Sequence, residues 1–80
     1  MGKTKINIIA FGKLTDIVGK DPFAMEGVVD TNQLKASILQ TYPALADMSY
    51  LVAINKKVVS ENTTLIEGSE VALLPPFSGG

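Results

Sequence analysis

The sequence predicts an α+β fold of two layers, a mixed β-sheet with one main helix packed across a face. Three observations carry that expectation. Short runs at Lys5–Phe11, Tyr50–Ile54 and Val71–Leu74 are apolar and strand-like in period. One stretch, Asp30–Gln40, has a capping signal and an apolar stripe at helical spacing. The order strand, strand, helix, strand, short strand, strand puts the helix after two strands and before three, consistent with a single sheet and one covering helix.

Each element has a local reason. In Lys5–Phe11 the residues Ile6, Ile8 and Ala10 fall on one face and Asn7, Ile9 and Phe11 on the other, a strand with one mixed face. Gly12 breaks it, and Leu14, Ile17 and Val18 recur at helical spacing before Gly19, enough for a turn or two of helix. Lys20-Asp21-Pro22 reads as a loop. Phe23, Met25 and Val28 follow as a weaker strand, close enough in sequence to pair antiparallel with the first.

The main helix starts where Asp30 can cap it, with Gln33 three residues on and Leu34, Ile38 and Leu39 as its buried stripe. Tyr42-Pro43 ends it, because the residue before proline is pushed out of the helical region, and a loop is expected through Asp47. Tyr50–Ile54 and Lys57–Val59 flank Asn55-Lys56, a pair suited to a tight hairpin because asparagine tolerates positive φ. Glu67-Gly68-Ser69-Glu70 turns the chain into Val71–Leu74, which stops at Pro75-Pro76. Residues 1–76 are expected to form a single domain, with 77–80 as a flexible diglycine tail.

Composition narrows the function. At 80 residues, 46% apolar and 19% charged with net charge −1, the chain has the size and balance of one small domain. It contains no Cys and no His, which removes disulfides, thiolate chemistry, the usual zinc and haem ligands and the usual neutral-pH general base. No metal site is expected. All seven basic residues are Lys, so the bidentate fork that grips phosphate or reads guanine is missing and nucleic acid is not an expected partner. The apolar runs are far shorter than the ~20 residues of a spanning helix, so no membrane is expected either. Met1–Lys5 before Ile6–Phe11 loosely has the form of a leader, but Asn7 interrupts the apolar part and no small-residue cleavage site follows. Ile6 stands where a myristoylation motif after Gly2 needs Ser or Thr. The expected location is cytoplasmic. A core of this size is worth only about 3–5 kcal/mol, so regular packing or a partner must support it.

The eight acidic residues are scattered through loops and helix ends, with no pair set as acid and base, and neither phosphate-binding glycine motif is present. What remains is the end of the sequence, Gly79-Gly80 after Pro75-Pro76. Two glycines there arise by chance in about 0.5% of chains at average glycine usage, and an incidental terminus is the alternative. An ordinary α-carboxylate, with a pKa near ~3.5, is unreactive at neutral pH and must be activated before it carries anything. Glycines lack Cβ atoms and can thread a narrow tunnel, while the prolines hold the base of the tail off the body. Four residues from Phe77 to Gly80 reach at most about 14 Å, an active-site depth.

The tail Leu73-Leu74-Pro75-Pro76-Phe77-Ser78-Gly79-Gly80 resembles the Pro-Pro-x-x-Gly-Gly ending of the molybdopterin synthase small-subunit family, the MoaD-like sulfur carriers of the MoaD/ThiS group. Phe11–Gly19 is similar to that family's aromatic strand end and short helix closing in Val-Gly. Ile54-Asn55 with Val58-Val59 is similar to its Val-Asn hairpin, and Glu67–Val71 to its turn into the last strand. One departure is Thr15-Asp16, where the family has an Arg/Lys-Glu pair.

The resemblance implies a β-grasp, ubiquitin-like fold and a carrier of sulfur on Gly80, with Gly79 beside it. An adenylyltransferase of the ubiquitin-activating type would use Mg-ATP to make an acyl-adenylate on Gly80. A persulfide donor then replaces AMP with sulfur. The thiocarboxylate enters the large, catalytic synthase subunit and gives its sulfur to cyclic pyranopterin monophosphate in molybdenum cofactor biosynthesis, two carriers serving one dithiolene. This chain would bind no cofactor itself and would be a non-catalytic subunit of a 2+2 heterotetramer. Phe11, Val58 and Leu74 are the implied docking residues, with Pro75, Pro76, Phe77 and Ser78 at the base of the tail; membership of the ordinary sheet core is the alternative for the first three. Other readings are a sulfur carrier for thiamine, cysteine or another metallopterin, a ubiquitin-like protein modifier, and a non-covalent binding module.

Overall fold

The computed structural model describes residues 4–76. Phe77, Ser78, Gly79 and Gly80, singled out above, lie outside the described residues. The chain forms strands β1 (Lys5–Ala10), β2 (Phe23–Glu26), β3 (Leu51–Ile54), β4 (Lys57–Val59) and β5 (Glu70–Leu74), with helices α1 (Thr15–Val18) and α2 (Thr31–Thr41). The strands make one five-stranded sheet in the order β2-β1-β5-β3-β4. β5, last in sequence, lies in the middle, parallel to β1 and antiparallel to β3, so the sheet is mixed as expected. The β1–β2 and β3–β4 pairs are antiparallel.

The alternation of β1 decides where the core sits. Ile6 and Ile8 have 0% exposure, and with Ala10, Val52, Val71 and Leu73 they meet Leu34 and Ile38 of α2. Leu39, expected in the same stripe, is 43% exposed, and the buried line of α2 is Thr31, Leu34 and Ile38. The spacing explains the correction: Thr31, Leu34 and Ile38 stack along one side, while Leu39 is rotated by about 100° from Ile38.

Both ends of α2 are fixed by named residues. The Asp30 carboxylate accepts from the Gln33 amide at 2.9 Å, the expected cap. The Gln33 side chain reaches back to accept from the Val29 amide at 3.2 Å, one residue earlier than a reciprocal capping box requires. Asn62 Oδ1, from a segment distant in sequence, accepts from the Asn32 amide at 2.9 Å. After Tyr42, residues Pro43–Asp47 wind into a 3₁₀ turn where a plain loop was expected, and the reason is Leu45, which this turn drives into the core. Val28 falls beyond the end of β2 and Tyr50 before the start of β3; Val28 is nevertheless buried.

Asn55 and Lys56 take φ values of 50° and 72°, so the β3–β4 connection is the tight positive-φ hairpin that its sequence indicates.

Candidate docking face and tail base

The sheet face turned away from α2 carries the candidate site. Register across the strands sets its rows. Ile9 lies beside Ala72, Ala72 opposite Ala53, and Ala53 opposite Val58, so two alanines occupy the middle of a row with larger side chains at each end. Leu74 and Leu51 pair on the next row toward the end of β5. The small central residues leave an apolar groove of about 470 Å³ lined by Ile9, Phe11, Ala53, Val58, Ala72 and Leu74, among others. Asn7, Lys56 and Glu70 contribute its polar lining.

The three expected docking residues are therefore brought together on one concavity. Phe11 is 45% exposed and Val58 49% exposed, while Leu74 is half-buried. None belongs to the core under α2. Exposed side chains of this size cost free energy in water, and gathering them on one face makes that face suited to a partner. β1 stops at Ala10, one residue short of the expected Phe11. The Phe11 backbone remains extended, and its amide donates to the Leu73 carbonyl at 3.0 Å, which holds the phenyl ring's backbone beside the end of β5.

The base of the tail adjoins this face. Pro75 and Pro76 are exposed and follow Leu74 directly. Pro75 packs over Gly12, so closely that a Cβ built on Gly12 would come within 2.7 Å of Pro75 Cγ. Gly12 itself sits at φ +62°, in the left-handed region. Its carbonyl accepts from the Thr15 hydroxyl at 2.8 Å, and Leu14 beside it is buried in the core. Thr15, the departure from the family's charged residue, is thus used locally, to hold the turn before α1.

Sequence reasoning missed Ile9, Ala53, Ala72 and Gly12 as contributors. The signal for the alanines was present: the two-residue turn at Asn55-Lys56 sets Ala53 opposite Val58, and alternation along β5 puts Ala72 on the same side as Leu74. What was lacking was the register that sets Ala53 directly against Ala72.

The order β2-β1-β5-β3-β4, with parallel β1 and β5 at its centre and α2 across one face, is the β-grasp fold of ubiquitin-like proteins. Its solved neighbours include a putative molybdopterin converting factor, subunit 1, from Pyrococcus furiosus, at a TM-score of 0.83 and 19% identity over 92% of this chain and 99% of that one. The small archaeal modifier protein 1 from Methanosarcina acetivorans aligns at 0.79 and 22% identity over 100% of both chains. The profile of the ThiS family matches residues 8–80, and the chain belongs to that family. A chain in the protein–protein complex of subunits 1 and 2 of molybdopterin-converting factor from Helicobacter pylori is 28% identical, with a TM-score of 0.71 over 96% of this chain and 100% of that one. The molybdopterin synthase sulfur carrier subunit of Chlamydomonas reinhardtii is 30% identical over 82 residues, 95% of this chain and 99% of the relative. The protein of the same name from Mycobacterium tuberculosis is 30% identical over 81 residues, 95% of this chain and 98% of the relative.

Proposed function

We propose that this chain is the sulfur-carrier subunit of a molybdopterin synthase, which docks on a large catalytic subunit and delivers sulfur as a thiocarboxylate on Gly80. The observation that carries the reading is the continuity of the apolar groove at Phe11, Val58 and Leu74 with Pro75-Pro76. A partner seated on that face receives whatever follows Pro76 directly beside the contact. Near full-length similarity to proteins named molybdopterin synthase sulfur carrier subunit supports the pathway. The Helicobacter pylori complex supports a large-subunit partner.

In this reading the chain supplies position and a terminal carboxylate, and its partners supply the reactive groups. An adenylyltransferase spends ATP to join the Gly80 carboxylate to AMP with loss of pyrophosphate. The outer sulfur of a persulfide donor then attacks the acyl carbon and expels AMP, and a thiol cleaves the resulting acyl disulfide, leaving the thiocarboxylate on Gly80 and a disulfide on the donor side. Gly79 and Gly80, without side chains, fit the narrow passages that both the activating enzyme and the synthase would present. The four residues from Phe77 to Gly80 would give a reach of at most about 14 Å from Pro76 into that passage. Two carriers on two large subunits would form a 2+2 assembly working in the cytoplasm. Among the described residues no helix is long and apolar enough to cross a membrane.

The test is intact-mass spectrometry after incubation with ATP, the activating enzyme, a persulfide donor and a thiol reductant, followed by addition of the large subunit and cyclic pyranopterin monophosphate. The expected result is a sulfur-for-oxygen exchange on Gly80 that disappears as the dithiolene product forms, with no loading when Gly80 is deleted. Transfer of sulfur only to a thiazole or cysteine synthase, or isopeptide linkage of Gly80 to lysines of other proteins, would overturn the pathway.

A further inference from the structure

We infer that Gly12 is a positioning residue for the tail: by lacking a Cβ it seats Pro75, and that seat fixes the direction in which the chain leaves β5. The backbone ladder cannot do this alone. The Phe11 amide donates to the Leu73 carbonyl at 3.0 Å, and two residues later Pro75 has no amide hydrogen with which to extend the pairing. Beyond Leu74 the direction of the chain is therefore set by packing, and the packing surface under Pro75 is Gly12. A Cβ at Gly12 would meet the ring at three atoms, 2.7 Å from Cγ, 3.5 Å from Cδ and 3.6 Å from Cβ.

The asymmetry of the two partners decides which one would give way. Gly12 opens a 3₁₀ turn whose next residues are anchored: its carbonyl accepts from the Thr15 hydroxyl at 2.8 Å, and Leu14 is 1% exposed. Pro75 is exposed, with its ring on the surface. A side chain at Gly12 is relieved by lifting Pro75 and re-aiming the residues after it, with the core undisturbed. Misplacing a reacting group by about 1 Å can cost on the order of a hundredfold in rate. The effect on sulfur delivery rests on the function proposed above; the effect on the tail's direction does not.

The experiment uses Gly12→Asn, because asparagine accepts the left-handed conformation while adding the Cβ, alongside Pro75→Ala and the double variant. Pro75→Ala removes the two ring atoms nearest to the added Cβ other than Pro75 Cβ, which remains at an ordinary contact distance of 3.6 Å. A nitroxide on Ser78→Cys, unique because the chain has no Cys, reports the tail's direction through broadening of domain amide signals. Gly12→Asn should redistribute that broadening, and the double variant should match Pro75→Ala alone. In the synthase, Gly12→Asn should lower single-turnover sulfur transfer roughly tenfold or more at saturating large subunit. Broadening unchanged in folded Gly12→Asn, or effects of the two substitutions that simply add, would overturn the inference. Sulfur loading that fails in the wild-type chain would overturn the proposed function, and the broadening experiment would still decide the role of Gly12.

Discussion

Asn55 and Glu70 are joined twice: the Asn55 amide donates to the Glu70 carbonyl at 2.8 Å, and the Glu70 amide donates to Asn55 Oδ1 at 3.0 Å. One residue thus turns the β3–β4 hairpin at positive φ and also ties it to the first residue of β5. Asn55→Ala should lose about 1–2 kcal/mol, from the left-handed backbone and an orphaned amide together, read as a lower urea midpoint at unchanged slope. Asn55→Asp, which keeps the acceptor and tolerates the conformation, should lose much less.

The start of α2 has two independent acceptors, Asp30 for the Gln33 amide and Asn62 for the Asn32 amide. Asp30→Ala is expected to cost about 1 kcal/mol, the usual worth of a cap. Asn62→Ala should cost a similar amount, ~1 kcal/mol, although Asn62 lies far away in sequence, because it leaves the same kind of orphaned helix donor. Thermal unfolding of the two single variants and the double variant checks this.

Leu74→Glu should leave the domain folded, since Leu74 faces away from α2, while placing a charge on the apolar lining of the groove. Loss of binding to the large subunit by at least about 2 kcal/mol, some thirtyfold, is the expected outcome by titration calorimetry. A folded Leu74→Glu chain of unchanged affinity would remove this face from the docking surface.

Burial holds the Tyr50 phenol above its ordinary pKa of 10.0, because the charged form is poorly solvated there. The folded state then keeps its proton at a pH where the unfolded chain has lost it. The stabilising difference is fully present below pH 10 and is lost as pH rises through the folded pKa. Denaturant titrations at increasing alkaline pH should show stability falling, and Tyr50→Phe should flatten that part of the profile.

Local signals carried most of the fold. The alternation of Ile6, Ile8 and Ala10, the Asp30 cap and the Asn55-Lys56 hairpin each report geometry over a few residues, and each was readable. Leu39 misled because it is apolar and adjacent to Ile38, and one step of 100° around a helix is decided by where the sheet lies. The Pro43–Asp47 turn was missed because its cause, the need of Leu45 for the core, is tertiary. For the candidate site, Phe11, Val58 and Leu74 were legible as candidate docking residues, while the groove between them depends on Ala53 facing Ala72 across two strands. The seat of Pro75 on Gly12 joins residues at opposite ends of the chain, and no window of sequence displays it.

The placement of β5 between β1 and β3 makes the domain its own checkpoint. Without that strand the sheet falls into two separate hairpins, so a nascent or truncated chain that stops short of Leu74 has no continuous core to bury. Pro75 follows Leu74 directly, so it is seated over Gly12 only once the middle strand has inserted. A chain with Pro75 seated over Gly12 is one that has already completed its fold, so any partner that reads that position selects finished molecules without a separate act of inspection.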